Sequence, residues 1–430
     1  MIVATGAQMA ARTPDADDRI ATAATSDGRL FAPAEDTPLT AVLASDSLAT
    51  RYTTGLARGI HTDPAAITNS VAKARYQTPL RYPGAKTGLA PVIGELLHAA
   101  SRHRSLRDID LLVEPFAGGA STSLRLVGDG TVRRVLLADA DPLVAAFWQV
   151  AASETDELIA RMRAEHEQYI APGTAEAVQR WDYWRAWSPP AGTRPSTSRF
   201  ESAVKCLYLN RTTFSGILHG RAGPIGGRSQ TSDYSIGCRF NPDALADRIS
   251  YVGHLYDTGR LIDVWCMDWR DTLENTASVY KTLVPNHVVA YLDPPYLRKS
   301  AKLYNTSFDE GTHSPRTVPA PAGWPNALAH EQLARYLTSK MRYRWILSYD
   351  YHPELLASFL LYGRDRMNPS DGARAEGIKQ WRISKRIVRL TYTAAARSSR
   401  DGADELLLTT LPPSAVPTND LIRAIGSLTR

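Results

Sequence analysis

Short apolar runs, each stopped by an acid or by proline and glycine, alternate along this chain with stretches whose apolar residues recur every third or fourth position. The first pattern predicts buried strands, the second amphipathic helices. Strands are expected at 110–113, 135–138, 260–265, 288–290, 345–350, 386–393 and 405–411. Helices are expected over Leu89–Leu97, from about Ser121, near Pro142, up to about Trp187, over Phe200–Asn210, around Leu328–Leu337 and near Pro353–Leu361. Strands that alternate with helices predict an α/β fold with a parallel sheet. The last two strands have no helix between them and should pair antiparallel at one edge.

Two regions break the alternation. Residues 1 to about 75 are rich in Ala, Thr, Asp and Ser and read as a flexible extension, with a short helix near Leu39–Ala49. From 151 to 284 the chain is helical and charged, with a proline-rich linker at 189–198 and a segment, 219–239, dense in Gly, Ser and Arg. The expected units are a flexible extension at 1–75, a catalytic unit formed by 76–150 and 285–415, an insertion at 151–284 and a tail at 416–430.

The chain has 430 residues, 43% hydrophobic and 22% charged, with a net charge of +6. That balance makes nucleic acid a better partner than an acidic substrate. Three widely spaced cysteines, with no paired Cys/His cluster, support neither a zinc site nor a disulfide framework and fit a reduced cytoplasm. No apolar run approaches the length of a membrane span.

The candidate chemistry lies at strand ends. Val288–Leu292 runs into Asp293-Pro294-Pro295-Tyr296. Two prolines fix two φ angles and remove two donors, leaving a rigid, acceptor-rich corner. Asp293 and the Pro294 carbonyl can accept both hydrogens of a planar amine while the Tyr296 ring stacks on its face. A second strand ends in Glu114-Pro115-Phe116 and a glycine turn, Gly118-Gly119, which lets a ligand approach the backbone. Asp139 follows about 20 residues later, the spacing at which a βαβ unit sets a carboxylate on a ribose; the competing reading makes it a cap for the helix at Pro142. With no G-x-G-x-x-G and no basic residue at the turn, a nucleoside cofactor without phosphate is favoured over a dinucleotide. Asp268 follows the 260–265 strand and is placed in the same cleft. The Tyr82–Lys86 loop precedes a helix and suits an anionic group, or is an ordinary turn. Arg221 and Arg228 sit in the glycine-rich segment, which can follow a phosphate backbone or lie solvated. Tyr304 lies in the long polar loop that runs to about Ala327.

These motifs, in their order, resemble the class D12, Dam-like DNA adenine methyltransferases. Arg81-Tyr82-Pro83-Gly84-Ala85-Lys86, Val113-Glu114-Pro115-Phe116-Ala117-Gly118-Gly119, Ala138-Asp139-Ala140-Asp141-Pro142, Tyr208-Leu209-Asn210-Arg211-Thr212-Thr213-Phe214-Ser215-Gly216, Asp293–Tyr296 and Asp404-Glu405-Leu406-Leu407 are each similar to a family motif. Ala85, Asp141 and Ser215 depart from it, standing where Gly, Asn and Asn are common. The resemblance implies a Rossmann-like class I methyltransferase sheet with an antiparallel edge strand and a mainly helical target-recognition insertion. It also implies S-adenosylmethionine as cofactor, contacted by Tyr82, Lys86, Asp139 and Asp293, with Asp293, Pro294, Pro295 and Tyr296 as the catalytic motif. Asn210 and Arg211 would lie near double-stranded DNA, and no metal is needed. The implied setting is cytoplasmic, in a bacterial or phage-encoded system, as a monomer or weak dimer, with a cognate restriction or phage-defence system as possible company. Cytosine N4, RNA adenine, or a non-catalytic DNA-binding role of the same fold stay open.

Overall fold

The computed structural model describes residues 78–81, 88–103, 106, 108–295, 327–358, 360–390, 403–416 and 422–424. The extension 1–75 and, except for Ala327, the insertion read at 309–327 lie outside them.

The eight strands are β1 (Leu111–Glu114), β2 (Arg134–Asp139), β3 (Leu261–Cys266), β4 (Val288–Leu292), β5 (Arg344–Asp350), β6 (Ser384–Leu390), β7 (Ala403–Thr409) and β8 (Ile422–Ala424). They form one sheet in the order β3-β2-β1-β4-β5-β7-β6-β8. The first five are parallel, whereas β7 runs antiparallel to both β5 and β6. Every residue of β1 and β4 is buried, as expected of parallel strands covered on both faces. Alternation then sorts the side chains. Leu112, Val135, Leu137, Val289 and Tyr291 join one core cluster, and Leu111, Val113, Leu136, Val288 and Ala290 join the other.

The helices are α1 (Ala90–Ser101), α2 (Ser121–Gly128), α3 (Pro142–Ser153), α4 (Thr155–Glu165), α5 (Thr174–Ala186), α6 (Pro195–Thr212), α7 (Pro242–Asp257), α8 (Trp269–Val279), α9 (Ala327–Ser339), α10 (Glu354–Ala357) and α11 (Asp371–Ala375). A π-helical turn, His166–Ile170, extends α4. α1 to α7 share the first core cluster, while α8 to α10 cover the opposite face.

Several expectations need correction. The region 151–284 is not a unit apart. Its helices share one apolar core with α1 and α2, and β3 pairs in parallel with β2 inside the main sheet. The last four residues of the linker read at 189–198 are helix, because Pro195 occupies the first turn of α6, where its missing N–H has no partner to lose. No helix was expected at α7, although Leu245, Ile249, Val252 and Leu255 recur at helical spacing. Its start is marked by the Asn241 side chain, which accepts from the Ala244 N–H at 3.0 Å, with Pro242 following. The helix near 353–361 shrinks to α10, since Ser358 turns extended (φ −96°, ψ 128°). The final pair is antiparallel as expected, but β7 lies inside the sheet. The stretch 416–430 supplies β8, which pairs antiparallel with β6.

Candidate active site

β1 is flanked by β2 on one side and β4 on the other. The chain builds outward through β2 and β3, then returns across β1 to start β4. Open α/β sheets bind ligands at the carboxyl end of such a switch point. Here three acids stand there: Glu114 closes β1, Asp139 closes β2 and Asp293 follows β4.

The turn after β1 is held from both sides. The Ala117 N–H donates to the Ala138 carbonyl at 2.9 Å and ties the turn to β2. Gly118 takes φ +45°, a conformation that favours glycine. Its N–H donates to Asp139 Oδ2 at 2.8 Å, and its carbonyl accepts from the buried Trp148 Nε1 at 2.9 Å. Ala120, the residue ahead of α2, is also left-handed (φ 47°), strain of the kind found at functional sites. The second oxygen of Asp139 accepts from the Asp141 N–H at 2.9 Å. Asp139 therefore binds the glycine turn and does not cap α3. That cap is Asp141, whose Oδ1 accepts from the Leu143 N–H at 2.9 Å.

Burial makes Glu114 and Asp139 hard to ionise. Desolvation pushes Glu114 up to about 8 and Asp139 up to about 7. Asp293 and Asp139 add repulsion at Glu114, while Ser123 of α2 favours its charged form. Asp141 adds repulsion at Asp139. Such shifts cluster at functional sites. Glu114 Oε2 is buried with no hydrogen-bond partner among the described residues.

Asp293 is oriented from β5. The Ser348 hydroxyl donates to Asp293 Oδ1 at 3.1 Å, and the Tyr291 hydroxyl meets Ser348 Oγ at 3.0 Å. Tyr291 and Ser348 are fully or almost fully buried. Pro294 is buried and Pro295 half-buried, so this corner is packed against the sheet. Tyr296, Tyr82, Lys86 and Tyr304 lie outside the described residues.

Pro115 is buried and Phe116 half-buried at the start of the glycine turn. Asp268 caps α8, its Oδ1 accepting from the Asp271 N–H at 2.9 Å. Next to it, the Met267 N–H donates to the Asp139 carbonyl at 3.1 Å, which keeps Asp268 near the Asp139 strand end.

Asn210 and Arg211 are not surface side chains. Asn210 is fully buried and grips residue 81 like a strand neighbour. Its Oδ1 accepts from the Arg81 N–H at 2.7 Å, and its Nδ2 donates to the carbonyls of Arg81 at 2.6 Å and Gly216 at 3.1 Å. Arg211 donates to the Pro79 carbonyl. Burial, helped by Arg248 and Arg81, lowers it to about 9. Arg221 is exposed. Arg228 is exposed but bidentate to Asp182, at 2.9 and 2.7 Å, and lies over the Trp181 ring.

The residue pattern did not single out Tyr291, Ser348, Trp148, His219 or Phe214 as functional. Phe214 is 66% exposed, at a turn where Ser215 and Gly216 are both left-handed (φ 56° and 76°). An aromatic followed by two residues in a turn conformation was the available signal.

A mixed α/β sheet in this order, with acids closing its central strands, has the architecture of a Rossmann-like methyltransferase. Residues 82–222 match the family model of the D12 class N6 adenine-specific DNA methyltransferases. The family named from the ordered motifs is thus the one whose model the chain matches. No curated protein matches the chain.

Proposed function

We propose that this protein transfers a methyl group from S-adenosylmethionine to the N6 amine of adenine in double-stranded DNA, with the base swung out of the helix. The observation that carries this reading is the set Glu114, Asp139 and Asp293 gathered at the switch point, with Asp293 opening the proline corner.

The residues fit a cationic nucleoside. The donor set is carboxyl, with a buried, unpartnered Glu114 oxygen and a left-handed glycine that allows close approach. Glu114 and Asp139 would hold the cofactor, together with the Phe116–Gly118 turn. When bound, it supplies an electrophilic methyl group. The chain's own part is positional and electrostatic. Asp293 accepts one hydrogen of the adenine amine, and the Pro294 carbonyl accepts the other. Asp293 or water then receives the released proton. Ser348 fixes the Asp293 carboxylate through Oδ1.

For DNA, the half-buried Arg81 and Arg248 and the exposed Arg239 gather about the buried Arg211 where the insertion meets the Thr78–Arg81 segment. Asp247 stands beside Arg248. Clustered arginines suit phosphates. The exposed Arg221 and Phe214 extend that surface.

The test is incubation of duplex DNA with labelled S-adenosylmethionine, followed by nucleoside mass spectrometry. N6-methyladenine is expected, and none from Asp293→Ala that still binds cofactor. N4-methylcytosine, or label in RNA alone, would replace the substrate; a fully active Asp293→Ala would remove the catalytic assignment.

A further inference from the structure

We infer that His219 and Asp141 form a link through which DNA at the arginine-rich loop and cofactor at Asp139 strengthen each other's binding; this rests on the function proposed above. The path is continuous. His219 Nε2 is hydrogen-bonded to Asp141 Oδ2 at 2.5 Å. The Asp141 N–H donates to Asp139 Oδ1 at 2.9 Å, and Asp139 Oδ2 accepts from the Gly118 N–H at 2.8 Å. Four residues thus run from the loop to the glycine turn without a gap.

Each end is held. Arg185 of α5 donates to the Leu218 carbonyl at 2.8 Å and to the Gly220 carbonyl at 2.5 Å, clamping the backbone on either side of His219. Asp141 is buried, and its other oxygen is fixed by the α3 cap. The His219 side chain remains about one-third exposed (31%), so a ligand on the loop can reach it. An aspartate here serves both tasks, one oxygen capping the helix and the other taking the imidazole. Asparagine would keep the cap, but its amide nitrogen is a donor and lacks the charge.

The geometry makes His219 and Asp141 positioning residues. DNA seated on the loop holds His219 in the contact it already makes with Asp141, whose N–H in turn sets the Asp139 carboxylate. Coupling between two ligands is reciprocal, so cofactor also favours the DNA-bound loop.

The experiment is calorimetric titration of S-adenosylhomocysteine into the full chain, alone and with a saturating adenine-containing duplex. In the wild type the duplex should tighten cofactor binding by about tenfold, within the usual range of such couplings. His219→Ala and Asp141→Asn should each bring that factor close to one, while affinity without DNA changes by less than about threefold. Asp141→Asn retains the α3 cap, so its effect is not a loss of fold; His219→Gln, which retains a donor, should restore part of the coupling. Wild-type protein that binds both ligands independently, or variants that keep the full coupling, would overturn the link alone. Wild-type protein that binds no cofactor at all would overturn the proposed function and the link with it.

Discussion

The Ser348 hydroxyl donates to Asp293 Oδ1 at 3.1 Å, joining β5 to the acid that follows β4. The bond aims a carboxylate whose neighbours Pro294 and Pro295 cannot donate. Ser348→Ala should lower kcat by about tenfold, the worth of roughly one hydrogen bond to a charged group, with KM for DNA nearly unchanged. Ser348→Thr, which keeps the hydroxyl, should recover most of it. Tyr291→Phe removes the next hydroxyl in the chain and should show the same pattern, weaker. Steady-state kinetics on one duplex decide this, and equal losses in Ser348→Thr and Ser348→Ala would show that packing, not the hydroxyl, matters.

Glu114 and Asp139 set a pH dependence of stability. Their folded values, about 8 and about 7, lie above their ordinary 4.5 and 3.8. The folded chain therefore holds protons that the unfolded chain has released. Their contribution is complete below the ordinary values and is lost as pH rises through 7 and 8. Glu114→Gln keeps the shape and removes the titration. Its Tm should fall less steeply than that of the wild type between pH 5 and pH 8.5, so the variant gains relative stability at the alkaline end. Parallel melting curves across that range would show that Glu114 ionises freely in the fold.

The loop arginines differ in how far they are committed. Arg228 is already bidentate to Asp182 and stacked on Trp181, while Arg221 is exposed. Phosphate contacts appear as the slope of affinity against salt. Arg221→Ala should weaken duplex binding and reduce that slope by about one unit. Arg228→Ala should change it less, because the arginine must leave its carboxylate to reach a phosphate. Fluorescence anisotropy at several salt concentrations measures both slopes. A larger change for Arg228 would mean that its ion pair opens on DNA.

Much of the sheet was legible because its signal is local. Leu111–Val113 and Val288–Leu292 are apolar throughout and end in an acid followed by proline, which places Glu114 and Asp293 without tertiary information. The glycine turn and Asp139 are both read from spacing, and a hydrogen bond of 2.8 Å joins them. What escaped depends on contacts distant in the chain. Nothing near Ser348 announces that it lies against Asp293, 55 residues away. Likewise, Asn210 and Arg211 lie in a motif that points to DNA, yet their side chains turn inward to a segment 129 and 132 residues earlier. α7 was missed for a different reason. Its signals are local, the Asn241-Pro242 start followed by buried Leu245, Ile249, Val252 and Leu255 at helical spacing, so no distant contact was needed to read it.

Gly216 and Asn210 together hold the Pro79–Arg81 segment against the insertion, and this makes the last prediction. Gly216 has φ +76°, and a Cβ there would stand 2.4 Å from the Arg81 carbonyl oxygen and 3.1 Å from Asn210 Nδ2. Both the backbone angle and the contact exclude a side chain. Gly216→Ala must push residue 81 away, breaking the pair of bonds that Asn210 makes to it. The expected loss is about 2–3 kcal/mol of stability, from strain plus buried amide atoms left unpaired. Asn210→Ala should cost a similar amount by the second route alone. Because the two act on one contact, the double variant should lose clearly less than the sum. Urea unfolding of the two single variants and the double variant measures it. Strict additivity would show that Gly216 and Asn210 stabilise the protein independently, and that segment 78–81 is held by something else.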